Sequence, residues 1–140
     1  MRINIEGNRM INEVQKDFAS AYPFLKIEFF RNGEAHQNLY PKQRQLAHDL
    51  KLKDAWIRRK TEGELLVHDV MTVHDLEHTL MDRFGLTAQV FRRSGNIWLE
   101  TSITDKWTLK QQNDHGREIT IGKPPPDKDE NDYELNRNEY

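Results

Sequence analysis

Apolar and polar residues change period several times along this chain, and the changes divide it into short elements. Residues 2–5 alternate like a strand, and from Ile11 apolar residues recur at Ile11, Val14, Phe18 and Tyr22, one face of a helix. Alternation returns at Leu25. The same succession recurs sixty-two residues later, so that residues 2–33 overlay on 64–95. Apolar positions coincide at Ile3/Leu65, Ile5/Val67, Ile11/Val73, Val14/Leu76, Phe18/Leu80, Tyr22/Phe84, Phe24/Leu86 and Phe29/Phe91. Arg31/Arg93 and Gly33/Gly95 are identical. Each unit therefore reads as strand, amphipathic helix, strand, and the overlay points to an internal repeat.

Local signals sharpen the boundaries. Asn8 or Asn12 is placed to cap the first helix, and Thr72 with Asp75 three residues on is a capping signature for the second. Pro23 and Gly85 mark the two helix ends. Gly95-Asn96 predicts a tight turn into a fifth strand over residues 97–103, whose Ile97, Leu99 and Ile103 fit a core face. Thr104 or Asp105 then caps a short helix through Trp107, Leu109 and Gln112 that stops near Gly116.

The predicted fold is α+β: two β-α-β units in a split, ferredoxin-like sandwich with one antiparallel sheet, plus an added hairpin strand and a short C-terminal helix. Residues 1–122 form the single domain. The insert 34–63 is harder to assign, since Leu46, Leu50, Leu52, Trp56 and Ile57 suit one helix or two shorter turns. From Lys123 the chain reads KPPPDKDENDYELNRNEY; three prolines, followed by six acidic residues against Lys128 and Arg137, predict a disordered acidic tail over 123–140.

Composition removes several chemistries. The 140 residues contain no cysteine, which excludes disulfides, a thiolate nucleophile and Cys-based zinc or iron–sulfur sites. A formal charge of −2 carries no global nucleic-acid signature. No apolar run approaches the roughly 18 residues of a membrane helix, and the N-terminal residues lack a signal-peptide core, so a cytoplasmic protein without membrane contact is expected. There is no Gly-rich phosphate loop, G-x-S-x-G elbow or dinucleotide fingerprint. One pattern matches: His74-Asp75-Leu76-Glu77-His78 fits H-x-x-E-H, two imidazoles one helical turn apart with Glu77 as a general base of a metal-dependent hydrolase. It flanks the apolar stripe of its helix, where solvated surface is the simpler reading. Neither an enzyme nor a cofactor or metal is expected.

Two surfaces remain. If both helices cover one sheet face, the other carries Phe30, Phe91 and Trp98 with Lys26 and Arg93 close by. Aromatic rings fringed by cations on an open sheet are how RNA-recognition sheets stack single-stranded bases. Glu28 and Glu100 share that face and would repel phosphate, and the insert or the last helix could instead cover it as a second small core. The basic patch Lys42, Arg44, Lys51, Lys53, Arg58, Arg59 and Lys60, set against Asp49 and Asp54, could meet a polyanion.

Residues 90–113, VFRRSGNIWLETSITDKWTLKQQN, resemble a segment of a family of small bacterial proteins of unknown function, with a similar hairpin followed by W-T-L-x-x-Q-N. The resemblance runs from the first strand to about residue 118, is weakest over 34–63, and implies no activity. The expectation is therefore a non-catalytic binding or adaptor domain that meets a protein partner or a second copy of itself through its sheet face, an edge strand or the basic segment. Single-stranded nucleic-acid binding through Phe30, Phe91, Arg93 and Trp98 is the alternative.

Overall fold

The computed structural model describes residues 1–31, 45–56 and 61–122. The tail 123–140 and Lys42, Arg44, Arg58, Arg59 and Lys60 of the basic patch lie outside them. The elements in chain order are β1 (Arg2–Ile5), α1 (Ile11–Ala21), β2 (Leu25–Phe30), a 3-10 turn (Leu52–Ala55), β3 (Gly63–Leu66), α2 (Val73–Phe84), β4 (Thr87–Ser94), β5 (Ile97–Glu100) and α3 (Leu109–Ile121). The class is α+β, as the periodicity predicts.

The described strands form two antiparallel sheets, β1–β3 and β2–β4–β5, where a single sheet was expected. Like elements of the two units pair with each other: Ile3 lies opposite Leu65, and Ile27 opposite Val90. Helix α1 packs on β1 and β2, and α2 on β4. Between helices and strands lies one continuous core, with Ile3, Ile5, Val14, Phe18, Leu76, Leu80 and Phe84 almost wholly buried.

The middle segment makes no α-helix among its described residues. Gln45 forms an isolated antiparallel bridge with Phe30, and Leu46 donates its N–H to the Phe29 carbonyl at 2.8 Å. The chain then turns, and Leu50 accepts from the Ile11 N–H before Leu52 and Lys53 donate to Arg9 and Gly7. Leu46, Leu52 and Ala55 thereby enter the core as extended and turn residues.

Caps differ in how well the sequence announces them. Thr72 and Asp75 close the start of α2 reciprocally, and Gly85 ends it with φ 66°. At α1 neither asparagine caps; the Glu13 carboxylate accepts the Met10 N–H at 2.9 Å. Helix α3 begins at Thr108, whose hydroxyl accepts from Gln111, and it continues through Gly116 to Gly122 at φ 71°. Gly116 does not stop the helix because its missing side chain is needed for contact: a Cβ there would lie 3.0 Å from Phe24 Cβ and 3.0 Å from Arg92 Cγ.

Candidate binding surface

In the ladder β2–β4–β5, directly opposed residues share a face. Leu25, Ile27 and Phe29 with Ala88, Val90 and Arg92 face the helices, while Lys26, Glu28 and Phe30 with Thr87, Gln89, Phe91 and Arg93 face the other way. β5 adds Trp98 opposite Arg93 and Glu100 opposite Phe91 on that second face.

The two ends of this face differ. At one end Phe30 is only 1% exposed, with Thr87, Gln89 and Glu28 buried beside it. Phe30 is thus unavailable for stacking, a correction to the expected trio of open rings; its backbone bridges Gln45 where the chain returns across the β2 edge. At the other end Phe91 is half-buried and Trp98 is 38% exposed. The Lys26 ammonium lies 5.4 Å from the Phe91 ring centroid and 5.2 Å from that of Trp98, a cation held against two aromatic faces. An open groove at this end is lined by Lys26, Gln45, Phe91, Asn96, Ile97, Trp98 and Glu100.

Lys26 also anchors the closed end. Its Nζ stands 3.2 Å from Glu28, a carboxylate with no solvent exposure. Glu28 takes two more contacts, from Gln15 Nε2 at 3.0 Å and from the half-exposed ring of His48 at 2.8 Å. A buried carboxylate needs this many partners to offset its lost hydration. Arg93 points away from the cluster, its Nε donating to the Gly95 carbonyl at 3.0 Å.

β5 departs most from expectation. It spans four residues, not seven, and the side chains assigned to a core face are in solvent: Ile97 is 58%, Leu99 38% and Ile103 99% exposed. The physical reason is its position at the sheet edge, where the described helices pack on β2 and β4. The two-residue turn, with Gly95 at φ 63°, makes Ser94 and Ile97 a mutually hydrogen-bonded pair. By alternation Arg92 and Leu99 bond next, so Trp98 and Glu100 turn their N–H and C=O groups outward from the sheet. The Arg93 N–H bonds back to Phe24, as that phase requires.

The remaining candidates lie elsewhere. Lys51 and Lys53 are exposed on the turn that packs against Met10 and Gly7, outside the groove lining. On α2 the His74 and His78 rings stack at 6.0 Å and His74 lies 3.5 Å from Asp105. The Glu77 carboxylate accepts the Val90 N–H at 2.8 Å, covering the β4 edge beyond the end of β5. Among the described residues no three His, Asp or Glu side chains converge as metal ligands, and no helix is long and apolar enough to cross a membrane. Among the described residues two titrating groups are shifted by burial: His115, packed edge-on against Trp107, is lowered by desolvation and by Arg92. Tyr22 is raised by desolvation and by its hydrogen bond to Asp69.

No protein-family model matches this chain, and neither the curated proteins nor the solved structures contain a match. The site must be read from its own geometry.

Proposed function

We propose that this chain is a small non-catalytic binding domain that takes an extended segment of a protein partner onto β5. One observation carries the reading: Ile97, Trp98 and Leu99 stay exposed while Trp98 and Glu100 direct backbone groups outward from the sheet edge. An added strand would satisfy those groups and cover the apolar side chains, and edge strands are where such additions occur. The groove beside β5 would receive alternate side chains of the partner, with Lys26, Phe91 and Trp98 favouring an acidic or aromatic one.

Single-stranded nucleic acid has less support at this surface. Phe30 is out of reach, which leaves two rings, and Glu100 shares the groove with them.

The test is capture from lysate on the immobilised full chain and on Glu100→Pro. The outward N–H of residue 100 makes no ladder bond, so proline removes a donor for the partner and none for the fold. Proteins held by the wild type and lost from Glu100→Pro, with slowed hydrogen exchange at Trp98 and Glu100 in the complex, are expected. Equal capture by both chains, or protection confined to other segments, overturns the reading.

A further inference from the structure

We infer that β5 pairs antiparallel with β5 of a second copy of this chain, joining two three-stranded sheets into one of six strands, in the register that sets Leu99 opposite Leu99. The inference rests on the reading of β5 as a binding edge and names one occupant for it.

The register follows from backbone phase. Only residues with outward N–H and C=O groups can form hydrogen-bonded pairs across the new junction, and in β5 these are Trp98 and Glu100. Three registers respect that condition. Trp98 opposite Trp98 sets Glu100 against the turn residue Asn96, so one hydrogen-bonded pair lies within the two strands. Glu100 opposite Glu100 places two carboxylates side by side, which is destabilising for directly opposed residues. Trp98 opposite the partner's Glu100 uses both outward positions of each strand and makes two such pairs.

Charge and apolar surface favour the same choice. The partner's Glu100 would lie across from Trp98, against whose ring the Lys26 ammonium already sits at 5.2 Å, so a carboxylate is brought toward a cation. On the opposite face the two Leu99 side chains, 38% exposed in the single chain, would cover each other across the two-fold axis. The second copy thus contributes Glu100 to the groove formed by Lys26, Phe91 and Trp98.

The absence of cysteine makes the register directly testable. At a non-hydrogen-bonded antiparallel pair the two Cα atoms lie about 4.5 Å apart, within disulfide range. The two residues 97 would be about 14 Å apart along the strands at roughly 3.4 Å per residue. Full-length Leu99→Cys and Ile97→Cys are to be oxidised under the same conditions, with sedimentation of the wild type and of Glu100→Lys over a concentration series. The expected result is a mass that rises with concentration in the wild type, loss of that rise in Glu100→Lys, and several-fold faster cross-linking of Leu99→Cys than of Ile97→Cys. A wild type that stays monomeric overturns self-pairing alone; the edge reading is then judged by the Glu100→Pro capture. A dimer in which Ile97→Cys cross-links as fast, or Leu99→Cys not at all, overturns the register and the β5 junction.

Discussion

Lys26→Met separates the two tasks assigned to this side chain, because an unbranched apolar side chain of similar length remains beside Phe91 and Trp98 while the ammonium goes. Glu28 is wholly buried and its contacts come from Lys26 at 3.2 Å, His48 at 2.8 Å and Gln15 at 3.0 Å. At 3.2 Å the gross attraction is about 5 kcal/mol for an effective dielectric constant of about 20. Lys26 is 32% exposed, so water recovers part of its charge; His48 and Gln15 still hold Oε1, while the buried Oε2 loses the ammonium it faces. The expected loss is about 2–3 kcal/mol, beneath the range of roughly 3–5 kcal/mol for a buried charge stripped of its partner. Urea denaturation measures it, with an unchanged slope showing that the unfolded state is not involved. Adding Glu28→Gln to Lys26→Met should then restore stability, with a coupling of about 1–3 kcal/mol in the double-mutant cycle. A Lys26→Met loss within the scatter of ordinary surface changes, about 0.5 kcal/mol, or strict additivity of the two substitutions, would refute the argument that Lys26 compensates a buried charge.

Other expectations follow from the same geometry. Gly116→Val should lower stability by roughly 1–3 kcal/mol despite a better helix former, since the added Cβ would lie 3.0 Å from Phe24 Cβ and 3.2 Å from the Phe24 backbone oxygen; thermal unfolding would show it. His115 has a folded pKa below its unfolded value, so the unfolded chain binds the extra proton: its contribution is full above about pH 6.5 and is lost as pH falls toward the folded pKa. His115→Gln should remove that part of the acid-side loss in a denaturation series across pH. Pooled single-stranded RNA should show no binding that Trp98→Ala abolishes, between about 50 and 200 mM salt; anisotropy that falls with both salt and Trp98→Ala would reinstate the nucleic-acid reading.

Much of the core was legible because helix periodicity is unambiguous. Ile11, Val14 and Phe18 and their counterparts Val73, Leu76 and Leu80 are all buried as the overlay requires. In the following strand the register slips by one. Leu25, Ile27 and Phe29 share the core face with Leu86, Ala88 and Val90, so Phe29 and Phe91 are not equivalent, Pro23 being the extra residue at the end of the first helix. A one-residue shift inverts every side chain of a strand, which is why Phe29 is core and Phe91 lines the groove.

Pairing between strands was not legible, because alternation reports which residues share a face and says nothing of neighbours. Two sheets and one sheet carry the same pattern. Gly116 was misread as a stop, since composition cannot distinguish a glycine that ends a helix from one that admits a neighbouring side chain. The residues expected to form a seven-residue fifth strand were the most instructive error. Ile97, Leu99 and Ile103 alternate as a core strand does, yet an apolar row fits a buried face and an interface equally well.

The state of β5 itself is the most direct test. Amide hydrogen exchange, measured by NMR on the full chain at low concentration, should find Ile97 and Leu99 protected by their bonds to β4. Trp98 and Glu100 should exchange as open amides, and these two alone should become protected as concentration rises or a partner strand is added. Protection of Trp98 and Glu100 already present in the most dilute sample, and unaltered thereafter, would mean that the edge is closed within the single chain and would contradict the account.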